Sequence, residues 1–177
     1  MKAAVYYETG APDVFRYEDV PDPVHDPGTP WYTSPLSGFG EQGPFETYEL
    51  PPAEPDVRGA IATTRRVWLR VRADLGADRA LHACMLTFVS DMGAVYAAAI
   101  PVHGTAGSRR RLGSIMGASL DHAIWFHRAV RLDDWVLYDL RPQSNAGSRG
   151  LVWGTFHALD RTLGASIAQE ALIRVRR

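Results

Sequence analysis

Three polar residues stand where the surrounding pattern calls for, or readily tolerates, an apolar one. In GASIAQEALIRV, residues 164–175, Ala165, Ile167, Ala171, Ile173 and Val175 share one face with Gln169 in their midst, whereas Ser166, Glu170, Arg174 and Arg176 mark the other. Ser119 stands in GASLDH, within a strand-like run, and Asp91 lies near the end of a helical run, at the edge of its apolar stripe. A buried amide without a partner costs about 1 to 3 kcal/mol, and a carboxylate more. Each of the three therefore needs partners or water, and they could be one another's partners. A carboxylate, a hydroxyl and an amide offer proton acceptance and hydrogen bonding at a single point. Taken singly, each has a plain structural explanation: a solvated turn-former, a strand filler, an amide bonded to a neighbouring strand.

The elements that must position them follow from periodicity. FETYEL (45–50) reads as an entering strand, and RVWLRVR (66–72) as a clearer one, with Val67, Leu69 and Val71 alternating with Arg66, Arg70 and Arg72 on a solvated outer face. DRALHACMLTFVSDMG (78–93) has helical spacing, with Leu81, Cys84, Met85, Phe88 and Met92 along the apolar stripe and Asp78 placed to begin the helix. After a loop bearing GTAGSRRRLG come strand runs at 114–128, 135–141 and 150–159 and the Gln169 segment, with NAGSRG and LDRTLG separating the last of them. Short connections favour antiparallel neighbours. Such a sheet has one face to bury, and the helix is the element to bury it against. A helix lying across a sheet can bring a residue at its end within reach of two strands, which is what Asp91, Ser119 and Gln169 require. The expected class is therefore α+β.

Composition narrows the function. A chain of 177 residues, 46% hydrophobic, can bury one ordinary core. A net charge of −1 gives no general attraction to nucleic acid or to an acidic membrane, so neither is expected as a partner, although Arg109, Arg110 and Arg111 cluster locally. The single cysteine, Cys84, leaves no intrachain disulfide and fits a reducing, cytoplasmic setting. The apolar runs at the start and at 93–102 are too short for a signal core or a membrane span. Residues 21–55 are rich in turn formers and read as largely irregular. Within them GFGEQG (38–43) matches a dinucleotide-binding pattern but lacks the strand before it and the helix after it that the motif requires. The histidines are not spaced as a metal cage: His122 and His127 fall on opposite faces of a regular strand, and His82 has no second histidine one turn away. Structural roles are expected for them, and no metal or cofactor is.

From about residue 46 to the end, the segments RRVWLRVRADL, LHACMLTFVSDMG, ASLDHAIWFHRAVRLDDWVLYDL, SRGLVWGTF and GASIAQEALIR resemble, in order, the C-terminal hotdog domain of the type II acyl-CoA thioesterases, the double-hotdog family. The resemblance implies a hotdog fold, a long central helix wrapped by an antiparallel sheet. It also implies an Asp, Thr/Ser and Gln site acting on water, which falls on Asp91, Ser119 and Gln169. The implied reaction is hydrolysis of an acyl-CoA thioester without a covalent intermediate, with Asp91 accepting a proton from water and Ser119 and Gln169 holding water and carboxylate in line. Ser119 as a nucleophile ranks second, for want of a histidine base. CoA phosphates would need cations, for which Arg109–Arg111 or Arg149 are available.

Members of that family carry two hotdog domains, and residues 1–44 are too few to form the first. MKAAVYYETGAPDVFRYEDVPDP instead resembles the opening of a medium-chain alcohol dehydrogenase or quinone oxidoreductase, without that family's metal ligands or nucleotide core. The expected organisation is thus an irregular leader, 1–44, reading as a fusion remnant, and one hotdog domain, 45–177. A lone half exposes the surface on which two halves pack, so a homodimer or higher oligomer is expected. The alternative function is a non-catalytic acyl-CoA or lipid-binding module, or an inactive remnant.

Overall fold

The computed structural model describes residues 2–5, 16–19, 43–50, 64–103 and 115–175; the arginine run 109–111 and most of GFGEQG lie outside them. The chain divides into two compact units, Met1–Pro30 and Trp31–Arg177. In the first, β1 (Lys2–Val5) pairs antiparallel with β2 (Arg16–Asp19), Lys2 opposite Asp19. The stretch 1–44 therefore spans the first unit and the start of the second, and it is not wholly irregular. Four-residue strands are too short for side-chain alternation to announce them.

In the second unit the alternation of RRVWLRV does what period two dictates. Along β4 (Arg65–Val71) Val67 and Leu69 are fully buried and Val71 nearly so, each contributing roughly 1.5–3 kcal/mol. On the outer face Arg70 is less solvated than expected: it bonds Glu46 of β3 (Phe45–Glu49) at 2.7 Å and lies over the Trp135 ring. After β4 come α1 (Arg79–Ser90), α2 (Ala94–His103), β5 (Ile115–Ser119), β6 (Ala123–Phe126), β7 (Val136–Ala146), β8 (Arg149–Ala158) and β9 (Leu163–Val175). The strands β3 to β9 form one seven-stranded antiparallel sheet in the order β3-β4-β7-β8-β9-β5, with β6 also on β9. Gly147 and Ser148, both at positive φ (57° and 63°), make the two-residue turn between β7 and β8, whose twist matches that of the strands.

The helical arm is longer than the sequence suggested. Asp78 caps α1 by accepting from Ala80 N and Leu81 N, as its position implies. Residues 91–93 then turn, Gly93 at φ +90°, and α2 continues through AVYAAAIPVH, packing on β7, β8 and β9. Arg79–Pro101 has the length and composition of a membrane span, yet in this fold it is the helix around which the sheet curls. This is the hotdog arrangement.

The face that α1 buries differs from the expected stripe. His82, Leu86, Val89 and Ser90 point into the core, whereas Leu81, Cys84 and Phe88 are exposed. The helix is apolar around much of its circumference, so periodicity offers two competing faces. The sheet takes the one whose polar members it can satisfy. His82 Nδ1 accepts from Leu132 N while its Nε2 meets the Gly76 carbonyl, and the Tyr138 hydroxyl donates to the Ser90 carbonyl.

Candidate active site

Asp91 is the C-cap of α1, held at the joint where α1 gives way to α2. Gly93 makes that joint possible: its φ is left-handed, and a Cβ there would come within 2.2 Å of Arg65 Nη1. Arg65 is itself buried and bound through Nε and Nη2 to both carboxylate oxygens of Glu49. The turn that carries Asp91 therefore rests on a fixed ion pair.

Ser119 ends β5, and the segment expected as one strand, 114–128, is broken immediately after it. Ser119 stands opposite Ala171 and Ala123 opposite Ala168, so four steps on one strand answer three on β9, the count of a β-bulge. Asp121 repairs the ladder there by accepting from Glu170 N at 2.7 Å, while Leu120 N bonds the Glu170 carbonyl at 2.9 Å. The extra residue reverses the parity of everything beyond it. Ser119 and His122, three apart and on opposite faces of a regular strand, both turn inward.

Gln169 answers the same inward face from β9, opposite Val152 of β8, among Ala165, Ile167, Ala171 and Ile173, all buried. At 1% exposure its amide is fully engaged. Nε2 donates to Asp91 Oδ1 and to Ser119 Oγ, each at 2.7 Å, and Ser119 Oγ donates to Asp91 Oδ1 at 3.1 Å. The three residues singled out from the sequence thus meet at one point, from the end of a helix and from two neighbouring strands. Asp91 and Ser119 are open to solvent, so the site lies at the surface of the chain and only its amide is buried. Among the described residues Asp91 Oδ2 accepts no hydrogen bond.

His122 was missed. Expected to be structural, it places Nδ1 2.8 Å from Gln169 Oε1 and Nε2 2.8 Å from Ser90 Oγ. The signal that could have found it is Asp121: a side chain able to accept from a strand amide, beside a break in apolar alternation, marks a bulge and hence a change of face. His127 does take the opposite face, reaching Ser166 Oγ at 2.9 Å. No group of three His, Cys, Asp or Glu able to hold a metal occurs among the described residues. Arg149 lies 3.6 Å from Glu170 in an exposed ion pair. After GFGEQG comes strand β3, where dinucleotide binding would need a helix.

A sequence model of the family described as acyl-CoA thioesterase matches residues 45–172. The chain belongs to the acyl-CoA thioesterase family. It is 34% identical over 118 residues to mouse acyl-coenzyme A thioesterase 8, covering 66% of this chain and 35% of that protein. It is 26% identical over 174 residues to acyl-CoA thioesterase 2 of Haemophilus influenzae, covering 93% of this chain and 56% of that one. Among solved structures it superposes on an acyl-CoA thioesterase II of Mycobacterium marinum with a TM-score of 0.62 at 28% identity, covering 91% of this chain and 60% of the other. The chain thus spans between about a third and three fifths of the length of these relatives.

Proposed function

We propose that this chain hydrolyses acyl-CoA thioesters to the free acid and CoA by direct attack of water. The observation that carries the reading is the asymmetry of the Asp91 carboxylate. One oxygen is taken up by Gln169 Nε2 and Ser119 Oγ; the other accepts no hydrogen bond from the described residues, and Asp91 is exposed to solvent. A water on Oδ2 gives up its proton as its oxygen attacks the thioester carbonyl carbon. The tetrahedral intermediate collapses by breaking the C–S bond, and the departing thiolate takes the proton that Asp91 received, giving CoA thiol and restoring the carboxylate. A serine nucleophile is disfavoured, because Ser119 Oγ already accepts from Gln169 Nε2 and His122, the histidine nearest in sequence, faces Gln169 and Ser90 instead. For the acyl chain we assign a cavity of about 250 Å³ between α1 and residues 126–131, lined by Ala83, Leu86, Phe126 and Val130 with Arg79 and Arg128 beside it.

The reading extends to assembly and setting. Two copies pair, covering the exposed stripe Leu81, Cys84 and Phe88 together with Phe126, and closing a site that a lone chain leaves open. The chain works in the cytoplasm, where the free, exposed Cys84 stays reduced. Light scattering at micromolar concentration checks the pairing, which a strictly monomeric species would overturn. None of Asp91, Ser119 and Gln169 lines the cavity assigned to the acyl chain, which favours one alternative, a module that binds acyl-CoA without turning it over. Thiol release from a series of acyl-CoAs, from acetyl to palmitoyl, separates the two. Turnover of any member supports the hydrolase; saturable binding with no thiol released from any would replace it with the binding module.

A further inference from the structure

The Gln169 amide can lie in its pocket two ways, related by a half-turn of its terminal torsion and nearly identical in shape. In the observed orientation Nε2 serves Asp91 Oδ1 and Ser119 Oγ, each at 2.7 Å. Turned over, the amide would set Oε1 against a carboxylate oxygen at the same distance and leave the free hydrogens of Nε2 facing the opposite wall. What lies on that wall decides the orientation, and it is the His122 ring, Nδ1 2.8 Å from Oε1. An amide oxygen only accepts, so the ring hydrogen lies on Nδ1. Behind the ring, Nε2 lies 2.8 Å from Ser90 Oγ, a residue with no solvent exposure whose hydroxyl is also 2.7 Å from the Thr87 carbonyl; with the ring hydrogen on Nδ1, Nε2 accepts, and the single Ser90 proton is turned to it rather than to Thr87. Ser90 and Asp91 are neighbours on α1. The contacts Ser90 to His122, His122 to Gln169 and Gln169 to Asp91 therefore close a ring that begins and ends on adjacent helix residues and passes through the bulge and β9.

We propose that His122 is the positioning residue of this site: its Nδ1–H selects the one Gln169 orientation that presents two N–H donors to Asp91 and Ser119. The proposal rests on the hydrolase reading for its kinetic consequence but not for its geometric one. His122 does not touch the reacting atoms. Its loss acts on the rate of the chemical step through a misplaced carboxylate, an error that costs about 10- to 100-fold when it amounts to a fraction of an ångström.

The test uses the two amides that mimic either end of the ring. In His122→Asn the side-chain nitrogen can occupy the Nδ1 position and donate to Gln169; in His122→Gln it reaches toward the Nε2 position and Ser90. His122→Ala should lower kcat about 10- to 100-fold with KM little changed. His122→Asn should recover most of that loss, and His122→Gln should not. Independently of turnover, the side-chain amide of Gln169, assigned in a ¹⁵N spectrum by its disappearance in Gln169→Leu, should exchange slowly with solvent in the wild type and in His122→Asn and quickly in His122→Ala. Equal impairment of the Asn and Gln variants, or slow amide exchange surviving in His122→Ala, would overturn the proposal. Should the wild type release no thiol at all, the hydrolase reading fails and the exchange measurement alone decides the role of His122.

Discussion

Replacing Asp91 with Asn separates chemistry from architecture at this site. Asn keeps an oxygen where Oδ1 accepts from Gln169 and Ser119, and puts an NH2 group where Oδ2 stood. Hydrogen bonds to a charged acceptor contribute about 1.5–3 kcal/mol and to a neutral one about 1 kcal/mol. Two such bonds would thus lose about 1–4 kcal/mol in a dry setting. Asp91 is exposed to water, so the loss should lie at the lower end, about 1 kcal/mol, or about 2–4 °C in melting temperature for a chain of this size. The rate should suffer far more, because the NH2 group cannot accept a proton from water, and general-base catalysis contributes about 10²- to 10⁴-fold. Thiol release measured at saturating acyl-CoA gives kcat, and a circular dichroism melt gives the stability. A kcat within about threefold of wild type, equivalent to less than about 1 kcal/mol of barrier, would remove Asp91 from the chemistry.

Other perturbations test the scaffold. Gly93→Ala combines a left-handed backbone angle with a Cβ driven against Arg65, whose guanidinium is bound by Glu49 at two points and cannot easily yield; a loss of about 2–4 kcal/mol is expected, read as a much lower melting temperature, and an unchanged melt would contradict it. Tyr138→Phe leaves the buried Ser90 carbonyl without its donor and should cost about 1–3 kcal/mol. Burial pushes the Tyr138 hydroxyl far above the usual tyrosine range, so that penalty should be the same at pH 6 and pH 9 (approximate bounds of the ordinary working range), and a penalty that vanished at the upper end would count against the assignment. Burial alone would raise the Asp133 carboxyl, but the Leu75 amide and the Arg131 guanidinium outweigh it and hold it below the ordinary range. A depressed folded value stabilises the fold above the unfolded carboxylate's pKa of about 4, and this is lost as pH falls through the folded value. Urea midpoints should therefore drop more steeply below about pH 4 in the wild type than in Asp133→Asn, and parallel curves would refute the contribution.

What the sequence made legible is what period two and local capping encode. The inward faces of β4 and β9, the Asp78 cap and the polar intrusion at Gln169 all follow from side chains a few residues apart, and all are found in the structure. The buried face of α1 could not be read the same way. Leu81, Cys84 and Phe88 look as apolar as Leu86 and Val89, and the choice between them depends on long-range partners such as Leu132 and Tyr138 that satisfy His82 and Ser90. The bulge after Ser119 was hidden for a related reason. Its cause is a side-chain acceptor, Asp121, meeting an amide 49 residues away, and a one-residue slip changes the face of each residue beyond it. His122 enters the site only because of that slip.

The amide in the midst of an apolar strand face then has a physical explanation. The group at that point must be buried, must hand hydrogen bonds to two partners on one side, and must accept one on the other. Lysine or arginine could donate but would bring a charge into a position with 1% exposure, at a desolvation cost of several kcal/mol. Serine or threonine has one proton, and two are needed. Glutamate could serve His122 but would set a second carboxylate against Asp91. Glutamine is neutral, carries two hydrogens on one atom and lone pairs on the other, and each of the three contacts it makes uses a different part of that endowment. In the proposed reaction the buried member of the set is the one that needs no access to a substrate, while Asp91 and Ser119 stand open to solvent. On that reading burial fixes the donor, and exposure leaves the acceptor within reach of water.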